Sequence, residues 1–279
     1  MFIDILKDAF LDTLKTVPFL LLAYLLMELL EHKLEDKASA IVNRAGRLGP
    51  ILGGLLGVIP QCGFSAATSN LYAAGLITRG TLIAVFLSTS DEMLPILLSE
   101  HAPAGTIVSI LAVKVLGAIL AGLVIDLLAV RVRTPRIHEL CEEENCDCED
   151  GIWVSALKHT VKIAGFLFLV NLALTALITL SGAESLNGLV FHIPVVGELL
   201  SGLIGLIPNC AASVAITKLF LQGGMSTGAM LAGLMTGSGI GLLVLFRVNR
   251  SWKDNLITLV ILYGTGVVLG FLAGLLPIF

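Results

Sequence analysis

Long apolar runs separated by short polar joints dominate this chain. The runs lie at roughly 16–32, 49–77, 81–99, 104–130, 153–181, 197–223, 225–246 and 255–278. About 20 apolar helical residues cross the ~30 Å hydrocarbon core of a bilayer, so runs of this length predict membrane helices. Ahead of them, residues 1–15 read as an amphipathic surface helix. Phe2, Leu6, Ala9, Phe10, Thr13 and Val17 recur at helical spacing, with Asp4, Asp8 and Asp12 between them. A polar stretch at 131–152 divides the runs into two sets of four.

The two sets are versions of one another. Residues 52–65, LGGLLGVIPQCGFS, return 148 positions later as 200–213, LSGLIGLIPNCAAS. Leu52, Gly54, Leu55, Gly57, Ile59, Pro60, Cys62 and Ser65 are identical to their partners. Gly75, Gly80 and Ser90 match Gly223, Gly228 and Ser238 at the same offset. The reading is a first repeat at 16–130 with a hairpin at 49–77, a Cys/Glu-rich joining loop at 131–152, and a second repeat at 153–279 with a hairpin at 197–223. Paired apolar segments interrupted by proline or glycine point to a transporter's binding site.

Basic residues choose between two topologies. If all eight runs cross, lysines and arginines fall evenly on both sides. If 49–77 and 197–223 instead enter, turn at their Pro-x-Cys and return, thirteen of the 17 share one face and only Lys7 and Lys15 lie opposite. Lys114 and Lys218 then lie inside apolar runs. Cytoplasmic loops carry such an excess of Lys and Arg. Three true crossings per half also invert the second half against the first. The expected fold is therefore an all-α membrane protein, an inverted-repeat transporter with six spanning helices and two re-entrant helical hairpins. Both termini are expected on the outside. Eight spanning helices, two of them kinked by proline, is the alternative.

Composition agrees. The chain is 56% hydrophobic and 14% charged, with a mean hydropathy of +0.96. A soluble domain carries about 25% charged residues. No phosphate-cradling loop or catalytic constellation is present, which points away from an enzyme and toward transport driven by an ion gradient.

Three groups of residues carry candidate chemistry. Gln61, Cys62 and Ser65 mark one hairpin tip, and Asn209, Cys210 and Ser213 the other. Irregular backbone survives at membrane depth only where it is buried or lines a cavity; the alternative is small filler beside a kink. Asp91 and Glu92, behind Ser88-Thr89-Ser90, lie near the middle of their run, where carboxylates are costly and functional by default. Lys114 is at comparable depth in the next run, either as their alternating coupling partner or as half of a structural ion pair. The matching second-half stretch, Thr236-Gly237-Ser238-Gly239, has no charge. Third, the joining loop places His138, Cys141, Cys146 and Cys148 among seven carboxylates. Thiolates and imidazole suit soft or borderline metals; the alternative is a solvated acidic linker.

With Ile-Pro-Gln-Cys and Ile-Pro-Asn-Cys, Ser-Thr-Ser-Asp-Glu at 88–92, and the Cys/Glu loop followed by Ser155-Ala156-Leu157-Lys158-His159-Thr160, the chain resembles the ten-transmembrane heavy-metal exporters. These bacterial permeases are labelled arsenic-efflux proteins or manganese transporters. Their ten segments agree with six spans plus two hairpins of two segments each.

The expected function is proton-coupled efflux of a metal ion such as manganese, another heavy metal or arsenite. Cys62, Cys210, Asp91 and Glu92 are the expected metal ligands in the membrane, with His138, Cys141, Cys146 and Cys148 in the loop. Asp91, Glu92 and Lys114 are the expected coupling groups. Expected partners are the metal ion, protons and the lipid bilayer, with a homodimer as a candidate assembly. No cofactor and no nucleic acid is expected. A permease for a small organic solute or anion is the second reading.

Overall fold

The computed structural model describes scattered residues between 7 and 25, then 48–58, 62–89, 93–128, 152–181 and 191–275. These form eleven helices, and no strand occurs among the described residues. In chain order they are α1 (Gly49–Leu56), α2 (Cys62–Ala73), α3 (Arg79–Ser88), α4 (Met93–Ser99), α5 (Ala104–Leu128), α6 (Ile152–Ser181), α7 (Val196–Gly205), α8 (Cys210–Leu221), α9 (Thr227–Thr236), α10 (Gly241–Val248) and α11 (Trp252–Gly274). The helices α7–α11 begin within one residue of 148 positions after α1–α5.

Local chemistry repeats at the same offset. Thr78 caps α3 by accepting from the Thr81 N–H at 3.1 Å. Ser226 caps α9 by accepting from Ala229 at 3.1 Å. Such caps satisfy amides that have no partner inside the helix. The helices α2 and α8 both end in a glycine at positive φ, Gly75 at 74° and Gly223 at 72°. The next residues close the turn: Leu76 N–H donates to Leu71 O at 2.9 Å, and Gly224 N–H to Leu219 O at 2.8 Å. A left-handed glycine with this bond is a common helix stop.

Four stretches are long and apolar enough to cross a membrane: Arg79–Ser99 (α3 with α4), Ala104–Leu128, Thr227–Val248 (α9 with α10) and Trp252–Gly274. The protein is an all-helical integral membrane protein. The 30-residue α6 covers the expected span 153–181; most of 16–32 lies outside the described residues. By contrast α1, α2, α7 and α8 have 8, 12, 10 and 12 residues. At 1.5 Å per residue the longest rises ~18 Å. The runs expected at 81–99 and 225–246 are each two helices rather than one, broken at the polar residues after Ser88 and Thr236.

Packing follows the repeat. In the first half α3 lies against α1 and α5; in the second, α9 lies against α7 and α11. Glycines set the approach. A Cβ on Gly57 would run into Ser88 Oγ and the Val85 carbonyl, and one on Gly205 into the Gly233 carbonyl and Thr236 Oγ1. Between halves, α2 packs on α10, α8 on α4, and α3 and α5 on α9 and α11. Leu20 and, from α6, Ala156 and Ile163 join Ala66, Ala74, Ile240 and Val244 in one core. The exposed sides of α5 and α11 are apolar, as at Leu116, Leu120, Leu127, Val260 and Val268.

Candidate functional site

The site is built around the two helix breaks. In the first, Ser88 and Thr89 turn their hydroxyls back onto the Val85 carbonyl at 3.1 and 2.7 Å, ending α3. Residues 90–92, with Asp91 and Glu92, lie outside the described residues. In the second, Thr236 Oγ1 lies 2.9–3.0 Å from the carbonyls of Gly202, Ala232 and Gly233, which ties the end of α9 to α7. The chain then opens at 237–240, with Gly239 at φ 54°, before α10 starts.

The helices α2 and α8 converge on this second break. Ser65, buried on α2, stands beside Gly241, so that a Cβ there would meet its Cβ and Oγ at 2.8 and 2.9 Å. One turn on, Ser69 donates to the Gly241 carbonyl at 2.7 Å and to Ser65 O at 3.0 Å. Ser213, on α8, has its Oγ 3.6 Å from where a Cβ on Gly237 would lie. The repeat-related serines thus flank the same break, one from each half. The described tip residue Asn209 is buried; its N–H donates to Ile207 O at 2.7 Å, and its carbonyl accepts from Ala212 at 3.2 Å. The helices α2 and α8 start at Cys62 and Cys210. The side chains of Cys62 and Cys210 lie outside the description, as does Gln61.

Lys114 joins the halves at the first break. Its side chain is fully buried on α5. Nζ donates to the Thr89 carbonyl at 2.6 Å and to the Leu234 carbonyl of α9 at 3.1 Å. In sequence Thr89 is two positions ahead of Asp91. Its repeat counterpart is Leu262, also buried but apolar. The lysine, like the carboxylates, belongs to the first half alone.

The loop ligands His138, Cys141, Cys146 and Cys148 lie outside the described residues. All eight expected metal ligands are thus undescribed at the side chain, and among the described residues no three His, Cys, Asp or Glu gather into a metal site.

Three other polar features were not singled out in the sequence. Asp126 on α5 accepts from Thr78 Oγ1 at 2.6 Å and from Gly80 N–H at 2.8 Å at the start of α3. Glu198 on α7 lies against Gly228 at the start of α9. Arg79 pairs with Asp254. The available signal was weaker than the tandem Asp91-Glu92: Asp126 and Glu198 are lone carboxylates that share their apolar runs with Lys114 and Lys218, and Arg79 and Asp254 lie in the short joints between runs.

Residues 1–196 match the family model described as "Putative, 10TM heavy-metal exporter". No curated protein matches the chain, and no solved structure does. The match covers well over half of the 279 residues, and the chain belongs to this family.

Proposed function

We propose that the protein is a secondary active exporter that moves a metal ion out of a bacterial cytoplasm in exchange for protons. The observation that carries the proposal is the polar junction between the halves. Ser65 and Ser213 flank the break at 237–240, and Lys114 spans from the break after Ser88 to α9. Broken, hydroxyl-lined backbone inside an apolar bundle needs a cavity or a ligand.

In this reading Cys62, Cys210, Gln61 and Asn209 hold the ion from the two tips. Asp91 and Glu92 supply negative charge, and Lys114 pairs with them when the ion leaves. The loop at 138–150 gathers metal from the cytoplasm. No covalent step is involved. Rocking one half against the other exposes the site to each side in turn.

The fold in this reading is an inverted repeat with two re-entrant hairpins. Three observations support it. The helices α1, α2, α7 and α8 are each too short to cross ~30 Å. Arg79 touches Asp254, whereas eight crossings would put residues 79 and 254 on opposite sides of the membrane. Finally, α3 begins beside Asp254 in the first turn of α11, while α9 begins beside Gly274 at its last turn. The 23 residues of α11 separate these ends by ~33 Å.

An anionic solute is the second reading, favoured by the buried Lys114 cation. Total cellular content of a panel of metals, with and without expression, tests the first. A fall in one element gives substrate and direction together. No change in any element contradicts metal export.

A further inference from the structure

Ser65, Ser69 and Tyr72 stand at i, i+4 and i+7 on α2 and so share one face. Ser65 and Ser69 lie against Gly241 at the second break. The Tyr72 hydroxyl bridges the Arg79–Asp254 pair at the start of α11. The same two levels are joined by α10, whose eight residues from Gly241 to Val248 rise ~12 Å. Beyond it Asn249 donates to Asp254 Oδ2 at 2.8 Å and to Asn255 Oδ1 at 2.6 Å. A line of hydroxyl, amide and carboxylate groups therefore leads from the candidate site to one end of the bundle. Polar and ionisable groups placed inside a membrane protein mark ion pathways.

This line is sealed. Ser65, Ser69, Tyr72, Asp254 and Asn255 are buried, and Arg79, at the outer end, is partly exposed. The repeat supplies an internal comparison. Ser65, Ser69 and Tyr72 correspond to Ser213, Thr217 and Phe220 on α8. Thr217 is buried like Ser69, but Ser213 and Phe220 are partly exposed. Arg79 and Asp254 correspond to Thr227 and Thr106, which cannot form an ion pair. In the inverted-repeat reading this second line leads to the opposite face. One line is thus shut with an ion pair across its mouth, and its counterpart is partly open with none at the matching positions.

The pair also joins the halves, Arg79 from α3 to Asp254 from α11, so it must break if they part at this end. Arg79 is the member that can leave, because its guanidinium already reaches solvent. The carboxylate left behind keeps Tyr72 and Asn249 as donors, which lowers the cost of opening.

We propose that Arg79, Asp254 and Tyr72 form the gate at this end of the path, with Arg79 as the moving arm and a cation as the species admitted. The structure holds the gate closed. Once Arg79 swings out, the negative charge of Asp254 at the mouth attracts a cation and repels an anion. The gate rests on the alternating-access reading above, not on the identity of the cargo.

Thiol labelling of the full chain in vesicles of both orientations tests it, with Cys141, Cys146 and Cys148 replaced by serine. Ser69→Cys reports on the path, against a parent that keeps Ser69. The side from which Lys253→Cys reacts defines the Arg79 face. From that face an impermeant cationic thiol reagent should label Ser69→Cys slowly. Adding Arg79→Gln should raise the rate about tenfold, the factor for one hydrogen bond to a charged group. Labelling from the opposite face should not rise. Exchanging the charges, Arg79→Asp with Asp254→Arg, should bring the rate back down. Tyr72→Phe keeps the ring and should give a smaller rise at the same face, which decides the matter if Arg79→Gln fails to fold. A rate unchanged in these variants overturns the gate, and so does an equal rise from both faces, which is loosening of the whole bundle. With each rate taken relative to a free thiol, the cationic reagent should outpace an anionic one of similar size; the reverse order overturns cation passage. If the native chain moves no metal, the export reading fails while the labelling rates still decide the gate.

Discussion

The Arg79 guanidinium of α3 pairs with the Asp254 carboxylate of α11 across 175 positions of sequence. Tyr72, fully buried, donates to both Asp254 oxygens at 3.3 and 3.1 Å and accepts from Arg79 Nε at 3.2 Å. Asn249 donates to Asp254 Oδ2 at 2.8 Å. The repeat counterparts of Tyr72, Arg79 and Asp254 are Phe220, Thr227 and Thr106, so this network closes one end of the molecule only.

Removing one partner of a buried pair costs about 3–5 kcal/mol, mostly through the charge left behind. Asp254 is the more buried partner, at 8% against 24% for Arg79. It also holds Tyr72 and Asn249. Arg79→Ala, which leaves that buried carboxylate without its guanidinium, should therefore lower Tm in detergent more than Asp254→Ala, which leaves an Arg79 that can still reach solvent.

The same pair gives a test of topology. With Cys141, Cys146 and Cys148 replaced by serine, Ile77→Cys and Lys253→Cys should react with an impermeant thiol reagent from the same side, and Gln222→Cys from the other. Eight crossings require residue 77 to share its side with 222 instead of 253.

Lys114→Met keeps the length of the side chain but leaves the Thr89 and Leu234 carbonyls without their donor. Hydrogen bonds to a charged group contribute about 1.5–3 kcal/mol each. Transport should be lost, with destabilisation of about 3–6 kcal/mol in thermal unfolding. Lys114→Arg should not restore flux, because a planar guanidinium does not replace a compact ammonium.

Gly57 and Gly205 are identical in the repeat but differ in what an added methyl group would strike. For Gly57 the nearest obstacle is the Ser88 hydroxyl, which can rotate, whereas for Gly205 it is the fixed Gly233 carbonyl. Overpacking costs about 1–3 kcal/mol. Gly205→Ala should lie at the upper end of that range and Gly57→Ala at the lower, measured as the difference in their denaturation midpoints.

Much of this organisation is written in the sequence because the repeat is. Gly75 and Gly223 adopt the same left-handed turn, and Ser65 and Ser213 flank one break. Their identity at a fixed offset is readable without coordinates. The polar run after Ser88 signals a helix break because hydroxyls that turn back on the preceding carbonyls compete with the helix. What the repeat does not share is hidden. Arg79 and Asp254 have no counterparts, and nothing local tells a charge in one half which charge in the other it meets. Asp126 and Glu198 serve equivalent helix starts from different helices, so no alignment of the halves brings them together. Lys114 was recognisable as a buried charge, but its contact with Leu234 required the packing of the second half against the first.

Metal accumulation in inside-out vesicles tests the central claim most directly. The account predicts that one element accumulates when a pH gradient is imposed, and that Cys62→Ser or Asp91→Asn abolishes the accumulation. Normal accumulation in both variants would contradict the assigned site, and no accumulation of any metal by the native chain would contradict export itself.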